Sequence, residues 1–285
     1  MNWFLYAVIG IVLITIYSIG TKILVADRVA DPISLVVVYK FICSLCVALL
    51  ILVTGQSILI RVGWFEGAML IIGSIVFGIA NIAVFKAYPI TEVSDISLIG
   101  ATQPVITMLL GAALFREGLT VPKVLAATLC LVGVWLIFPR KAGVSMTRGH
   151  LYALISTCAF ALGSYIDKTM VMRIPVVQYA AIGYLVNAVT MMIGTRRSFP
   201  DLRRVLVRRS TTLWIILLAS ISGFGSLFYI QAYAAGGQAS EVSLVLYLNV
   251  VLTVMFGALF LRERDRLPQK ISAFVLTLAA LMLIR

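Results

Sequence analysis

Ser94-Asp95-Ile96-Ser97-Leu98 recurs in this chain as Ser240-Glu241-Val242-Ser243-Leu244, a displacement of 146 residues, from position 94 to position 240. The same displacement carries Ser18 onto Ser164, Lys22 onto Lys168, Thr107 onto Thr253, Gly111-Ala112 onto Gly257-Ala258, Arg116-Glu117 onto Arg262-Glu263 and Pro122 onto Pro268. These matches are polar residues, glycines and prolines, not the Leu and Val that any two apolar helices share. The register therefore reports an internal duplication, with one copy in residues 1–142 and the other in 147–285.

Hydrophobic residues make up 62% of the 285 positions and charged residues only 12%, against roughly half and roughly a quarter in soluble domains. Such a chain is not a soluble globule. A bilayer core is about 30 Å thick and takes roughly 20 apolar helical residues to cross. Ten stretches fit that need: 3–25, 33–53, 64–87, 93–115, 121–138, 151–172, 176–194, 213–235, 241–261 and 267–284. Five spans per copy is an odd number, so the second copy must cross the membrane in the opposite sense to the first. The expected fold is an all-α integral membrane protein of ten transmembrane helices, arranged as two inverted five-helix repeats in one membrane domain. In transporters such repeats place the substrate near the midplane, at the interface of the halves.

Connectors are short, the longest being 195–212, which leaves no room for a soluble ATPase domain. The phosphate-binding G-x-x-x-x-G-K-[ST] pattern is absent as well. The first span lacks a basic leader and exceeds the usual signal-peptide core, so it is expected to be retained. Cys43, Cys46, Cys130 and Cys158 all fall within spans and read as packing residues, with no second ligand pair for a metal. His150, beside Arg148, reads as interfacial. The net charge of +12 is explained by basic residues flanking the spans at anionic headgroups, not by a nucleic-acid partner.

The stretch from Ala87 to Phe138, with Pro104, the Arg116-Glu117 corner and Gly133, resembles EamA-type members of the drug/metabolite transporter superfamily. Its echo from Ala232 to Ile284 extends the resemblance to both halves. The pattern is departed from where Val250 replaces Pro104 and Ala279 replaces Gly133 in the second copy. The resemblance implies a ten-helix carrier of metabolites in the cell (inner) membrane, often an exporter of amino acids or related compounds, with both termini in the cytoplasm. Charge argues otherwise on that last point. Sixteen Lys/Arg lie on the side of the connectors that follow odd-numbered spans and six on the other, and the positive-inside rule then puts the termini outside.

Ionisable side chains within a bilayer cost several kcal/mol and usually face a cavity or a partner. Lys40 lies within the second span, roughly 10 Å deep at about 1.5 Å per residue; it is a counter-ion for a carboxylate, or it snorkels to the interface. Glu92 and Asp95 share a face at the start of the fourth span, and Glu241 opens the ninth at the position equivalent to Asp95. Such acids either cap helix N-termini or form a pair of proton-accepting groups that couples transport to a proton gradient. Gln103 and Asn249 are repeat equivalents, as are Ser18 and Ser164, and each needs a hydrogen bond within the membrane, as do Asn81, Asn187 and Gln231, for which contact between helices is the expected role. Tyr17 and Tyr229 stand near the candidate positions and would suit a cavity for an amphipathic or aromatic solute. No cofactor is implied. The partners read from the sequence are a small-molecule substrate and the lipid bilayer, while coupling ion and oligomeric state stay open.

Three classes fit this pattern: a secondary transporter, a carrier or flippase for a lipid-linked head group, and a membrane-embedded enzyme. The enzyme fits worst, because one histidine supplies neither a metal cluster nor a concentrated catalytic set.

Overall fold

The computed structural model describes residues 2–26, 31–55, 57, 62–91, 93–115, 118–137, 147–206, 209–260 and 267–283. Among these residues are twelve helices: α1 Trp3–Ala26, α2 Pro32–Val53, α3 Trp64–Ala87, α4 Val93–Gly100, α5 Gln103–Phe115, α6 Val121–Ile137, α7 Arg148–Val171, α8 Val176–Gly194, α9 Phe199–Val205, α10 Arg209–Ala234, α11 Ala239–Phe260 and α12 Leu267–Leu283. Six of them, α1, α2, α3, α7, α8 and α10, hold stretches long and apolar enough to cross a bilayer by themselves. The chain is an all-α, multi-pass membrane protein. The corners at Arg116-Glu117 and Arg262-Glu263 lie outside the described residues.

Local chemistry sets several helix ends. Asp31 caps α2 by accepting the backbone N–H of Ser34 at 2.8 Å, and Pro32 takes the first helical position, where its missing N–H costs nothing. Thr147 and His150 cap α7 reciprocally, which gives His150 a place at a helix entrance. Two residues past the end of α10, Gly236 has a φ of 96°, open to glycine at little steric cost. The Gly237 N–H then bonds back to the Ala232 carbonyl at 3.0 Å.

Two features depart from the expected spans. The stretch 93–115 is not one helix but two, α4 and α5, parted at Ala101 and Thr102. Pro104 is the cause: it has no N–H for the Gly100 carbonyl, and its ring crowds that carbonyl. Thr102 Oγ1 donates there to the Ile99 carbonyl at 2.7 Å. In the second copy Val250 occupies the equivalent position, and α11 runs unbroken from Ala239 to Phe260. The long connector also folds, as α9, which packs against α2 and buries Leu202 and Val205.

The principal pairings join one copy to the other. α1 packs on α10 and α11, α7 on α3, α4 and α5, α2 on α8 and α10, α8 on α3, and α6 on α12. By the 146-residue register α1 corresponds to α7, α2 to α8, α3 to α10, α4 with α5 to α11, and α6 to α12. Exchanging the copies turns α1–α10 into α7–α3 and α2–α10 into α8–α3, and returns α2–α8 and α6–α12 to themselves.

Polar contacts give the directions. Lys22, in the last turns of α1, donates to the Thr91 carbonyl at 2.7 Å and to that of Tyr88, so α1 and α3 end on one side. Arg173, just beyond α7, pairs at 3.2 Å with Glu66 in the first turn of α3. α7 therefore runs against α3, and against α1. Arg197, beyond α8, meets Asp31 at the start of α2 at 3.1 Å, so α2 and α8 are opposed as well. Outer faces are apolar, with Leu45, Leu49, Leu52, Ile71 and Ile75 exposed, and Trp64, Trp135 and Trp214 are exposed near helix ends. Amphipathic indoles favour that depth in a bilayer.

Candidate functional site

Between the two copies lies a cavity of about 290 Å³, walled by α1, α2, α3, α4, α5, α7, α8, α10 and α11. It extends from Tyr88 and Val93, at one end of the bundle, to Met69 and Tyr179 toward the other. The volume is at the small end of the range for ligand pockets, and the wall is mostly apolar with a few convergent polar groups, as such pockets are.

Seven of the ten residues singled out from the sequence line this cavity: Tyr17, Ser18, Lys40, Gln103, Ser164, Tyr229 and Asn249. Lys40 is half-buried on α2 with its ammonium 5.2 Å from the centroid of the Tyr184 ring, a cation–π arrangement. It makes no ion pair within 4.0 Å among the described residues. Asn249 accepts hydrogen bonds from Thr15 at 2.8 Å and Thr253 at 3.1 Å, linking α11 to α1. Ser18 and Ser164 each return their hydroxyl to the carbonyl four residues back, Ile14 and Phe160, at 2.9 and 3.0 Å. Gln103 enters where α4 and α5 part, beside Gly100, around which space is open.

Of the three acids named from the sequence, only Glu241 has a described side chain, and it does not line the cavity. Glu92 lies outside the described residues, and of Asp95 only the place on α4 is described. Glu241 is held away from the cavity wall, in an ion pair of 3.3 Å with the buried Lys123 of α6. The Lys123 ammonium also donates to Gln238 Oε1.

A different acid lines the cavity. Asp167, buried on α7, lines the cavity and accepts a 2.6 Å hydrogen bond from the Tyr179 hydroxyl of α8. Among the described wall residues Asp167 is the one acid and Lys40 the one base. Sequence reasoning misses it for an identifiable reason. Its repeat equivalent is Thr21, so a search for matched charges passes over it, and its neighbour Lys168, which does match, stands out instead. The rule applied to Lys40, an ionisable group inside a span, would find it. Asn187 does link helices, its amide donating to the Ser74 carbonyl at 2.7 Å, while its own Oδ1, buried at the cavity, accepts nothing among the described residues.

Cys43 and Cys46 pack between helices, as expected, whereas Cys158 does not. Cys43 donates to the Ala219 carbonyl at 3.1 Å, Cys46 meets the Ser220 hydroxyl at 3.2 Å, and Cys158 is exposed on an outer face.

Comparison with known proteins adds three findings. The EamA-like transporter family matches the chain twice, over residues 1–138 and 147–285. An uncharacterized transporter of Archaeoglobus fulgidus is 26% identical over 208 residues, covering 73% of this chain and 72% of that protein. A solved crystal structure of a protein has a TM-score of 0.75 at 18% identity, over 98% of this chain and 94% of the other; at that identity the likeness is one of fold.

Proposed function

The chain belongs to the EamA-like transporter family, and on that premise we propose that it exports a small metabolite, an amino acid or related compound, across the inner membrane by alternating access. It is a membrane transporter and not an enzyme. The observation that carries the finer reading is the cavity between the copies, with Lys40 from the first copy and Asp167 from the second as the charged groups of its described wall.

The reading includes ten spans in two inverted five-helix units, 1–142 and 147–285. It is supported by the opposed directions of α1 and α7 and of α2 and α8, by pairings that survive exchange of the copies, and by the double family match. With principal packing between the copies, a rocking of one against the other would open the cavity first to one face and then to the other. The break between α4 and α5 places irregular backbone at the cavity, where a membrane protein tolerates it.

The test is counterflow. Purified chain in liposomes preloaded with unlabelled amino acids is expected to take up a ¹⁴C-labelled amino-acid mixture faster than empty liposomes, with K40M at least tenfold slower. Uptake equal to that of empty liposomes would reject the amino-acid reading. Movement of a fluorescent phospholipid between leaflets in the same vesicles would turn it toward a lipid carrier.

A further inference from the structure

Asp167 is a carboxyl group inside a membrane helix with a single close polar partner among the described residues, the Tyr179 hydroxyl. Lys40, the one base of the described wall, shares the cavity without closing an ion pair. Both charges are one-sided with respect to the repeat: the register matches Asp167 to Thr21 and Lys40 to Val186. A carboxylate serving only to pack or to cap would not sit within α7, which runs unbroken from Arg148 to Val171.

We infer that Asp167 is the coupling residue of this transporter, binding in turn a proton and the cationic group of the solute, so that solute leaves as a proton enters. The inference rests on the transport reading above. A proton is favoured over a metal cation by the donor set. Na⁺ or Ca²⁺ needs several oxygen ligands, commonly including carbonyls freed by an unwound helix. Around Asp167 the helix is continuous, its carbonyls are committed within it, and no second carboxylate lines the described wall.

The exchange follows from electrostatics. In a low-dielectric cavity an ionised Asp167 needs a positive partner, and Lys40 supplies only part of it from a distance. A solute ammonium arriving at the carboxylate provides the partner directly and releases the proton to the aqueous phase; a proton arriving from the other side displaces the ammonium. By linkage, a solute that lowers the proton affinity of Asp167 has its own affinity lowered by protonation to the same extent. Lys40 from α2, Tyr179 and Tyr184 from α8 and Tyr229 from α10 share the cavity wall with Asp167, and Tyr233 of α10 packs edge-on against Tyr229 with ring centroids 5.4 Å apart. Of the other elements packed on α7, α3 brings Glu66, engaged by Arg173, and α11 brings Glu241, engaged by Lys123. The α4 acid, Asp95, has no described side chain.

Two measurements on the full chain test this. In the first, dicyclohexylcarbodiimide, which attacks protonated carboxyls in apolar surroundings, is applied across a pH series and its adducts are mapped by mass spectrometry. Labelling at Asp167 that rises as pH falls, and drops at least tenfold under a saturating amino-acid mixture, is expected; Y179F shifts the midpoint of the series. Labelling that ignores pH overturns the inference, and pH-dependent labelling that the mixture does not reduce overturns the exchange. In the second, liposomes of phosphatidylethanolamine and phosphatidylglycerol, with trapped pyranine, report proton movement while the ¹⁴C mixture is followed. Wild-type chain is expected to accumulate label when a pH gradient is imposed and to dissipate that gradient as it does so. In D167N whatever uptake remains no longer responds to the gradient, whereas D167E still responds. A gradient-driven D167N rejects the coupling role but leaves transport standing. No uptake by wild-type chain in either assay rejects the transport reading, and the labelling series then decides Asp167 by itself.

Discussion

Lys123 in the first turn of α6 and Glu241 in the first turn of α11 form a 3.3 Å ion pair that joins the two copies on the side of the bundle where α1 begins. The lysine side chain is 8% exposed and the glutamate 21%, so the pair lies between the exposed and buried regimes. Exposed pairs contribute roughly 0–1 kcal/mol, and removing one partner of a buried pair costs about 3–5 kcal/mol. Glu241→Gln is therefore expected to destabilise the protein by about 1–3 kcal/mol, between those two ranges, because it strands a buried ammonium. The double variant K123M/E241Q should recover most of that loss. Thermal unfolding in detergent measures both, and a double variant no better than the singles would show that the pair does not act as a unit.

The glycines divide into two kinds with opposite expected phenotypes. A Cβ on Gly10 would come within 2.8 Å of the Gly225 carbonyl oxygen and of the Tyr229 backbone nitrogen, where α1 crosses α10. Backbone cannot step aside as a side chain can. G10V is expected to lower stability by at least the roughly 1–3 kcal/mol typical of overpacking and to reduce abundance in the membrane. Gly183 lines the cavity and a Cβ there meets nothing within 4 Å. G183L should leave abundance near that of wild type while lowering counterflow at least tenfold by filling the cavity. Equal abundance for the two variants would contradict this division.

Pro104 offers a test of the broken helix. With P104A the backbone N–H of residue 104 becomes available to the Gly100 carbonyl, and α4 and α5 can join as α11 does around Val250. Hydrogen exchange in peptides spanning 93–115 is expected to slow about tenfold, corresponding to about 1.4 kcal/mol of added local stability. Counterflow should fall, since Gly100 and Gln103 would be redirected within the cavity wall. Unchanged exchange would mean that the break is held by packing and not by proline.

How legible all this is in the sequence depends on the kind of signal. The apolar runs and the repeat register are collective, spread over dozens of residues, and the helices fall where those runs lie. The break in α4–α5 is written in a single residue, Pro104, whose mismatch with Val250 is visible in the register as a departure from a family pattern but carries its meaning only as backbone geometry. Cavity residues are legible when polarity within a span marks them, as with Lys40, Gln103 and Asn249. Glu241 looks equally functional, yet its partner Lys123 is 118 positions away, at 123 against 241, and only folding brings them together. Asp167 is lost when symmetry is used as the filter, because the charges of the described cavity wall, Lys40 and Asp167, have no charged repeat equivalents.

The last prediction concerns orientation. Connectors after odd-numbered spans, with their adjoining ends, carry 16 Lys/Arg and the opposite side carries six, and lysine and arginine are retained on the cytoplasmic face. That argument places the connector containing α9 in the cytoplasm and both termini outside, against the orientation implied by the resemblance to EamA-type proteins. Ser198, just before α9, and Met172, 80% exposed just after α7, lie on opposite faces of the bundle. In a background with Cys43, Cys46, Cys130 and Cys158 replaced, M172C should react with a membrane-impermeant maleimide on intact cells. S198C should react only after permeabilisation. The reverse pattern would put the termini in the cytoplasm and make this chain an exception to the charge rule, with the six arginines of connector 195–212 facing outward.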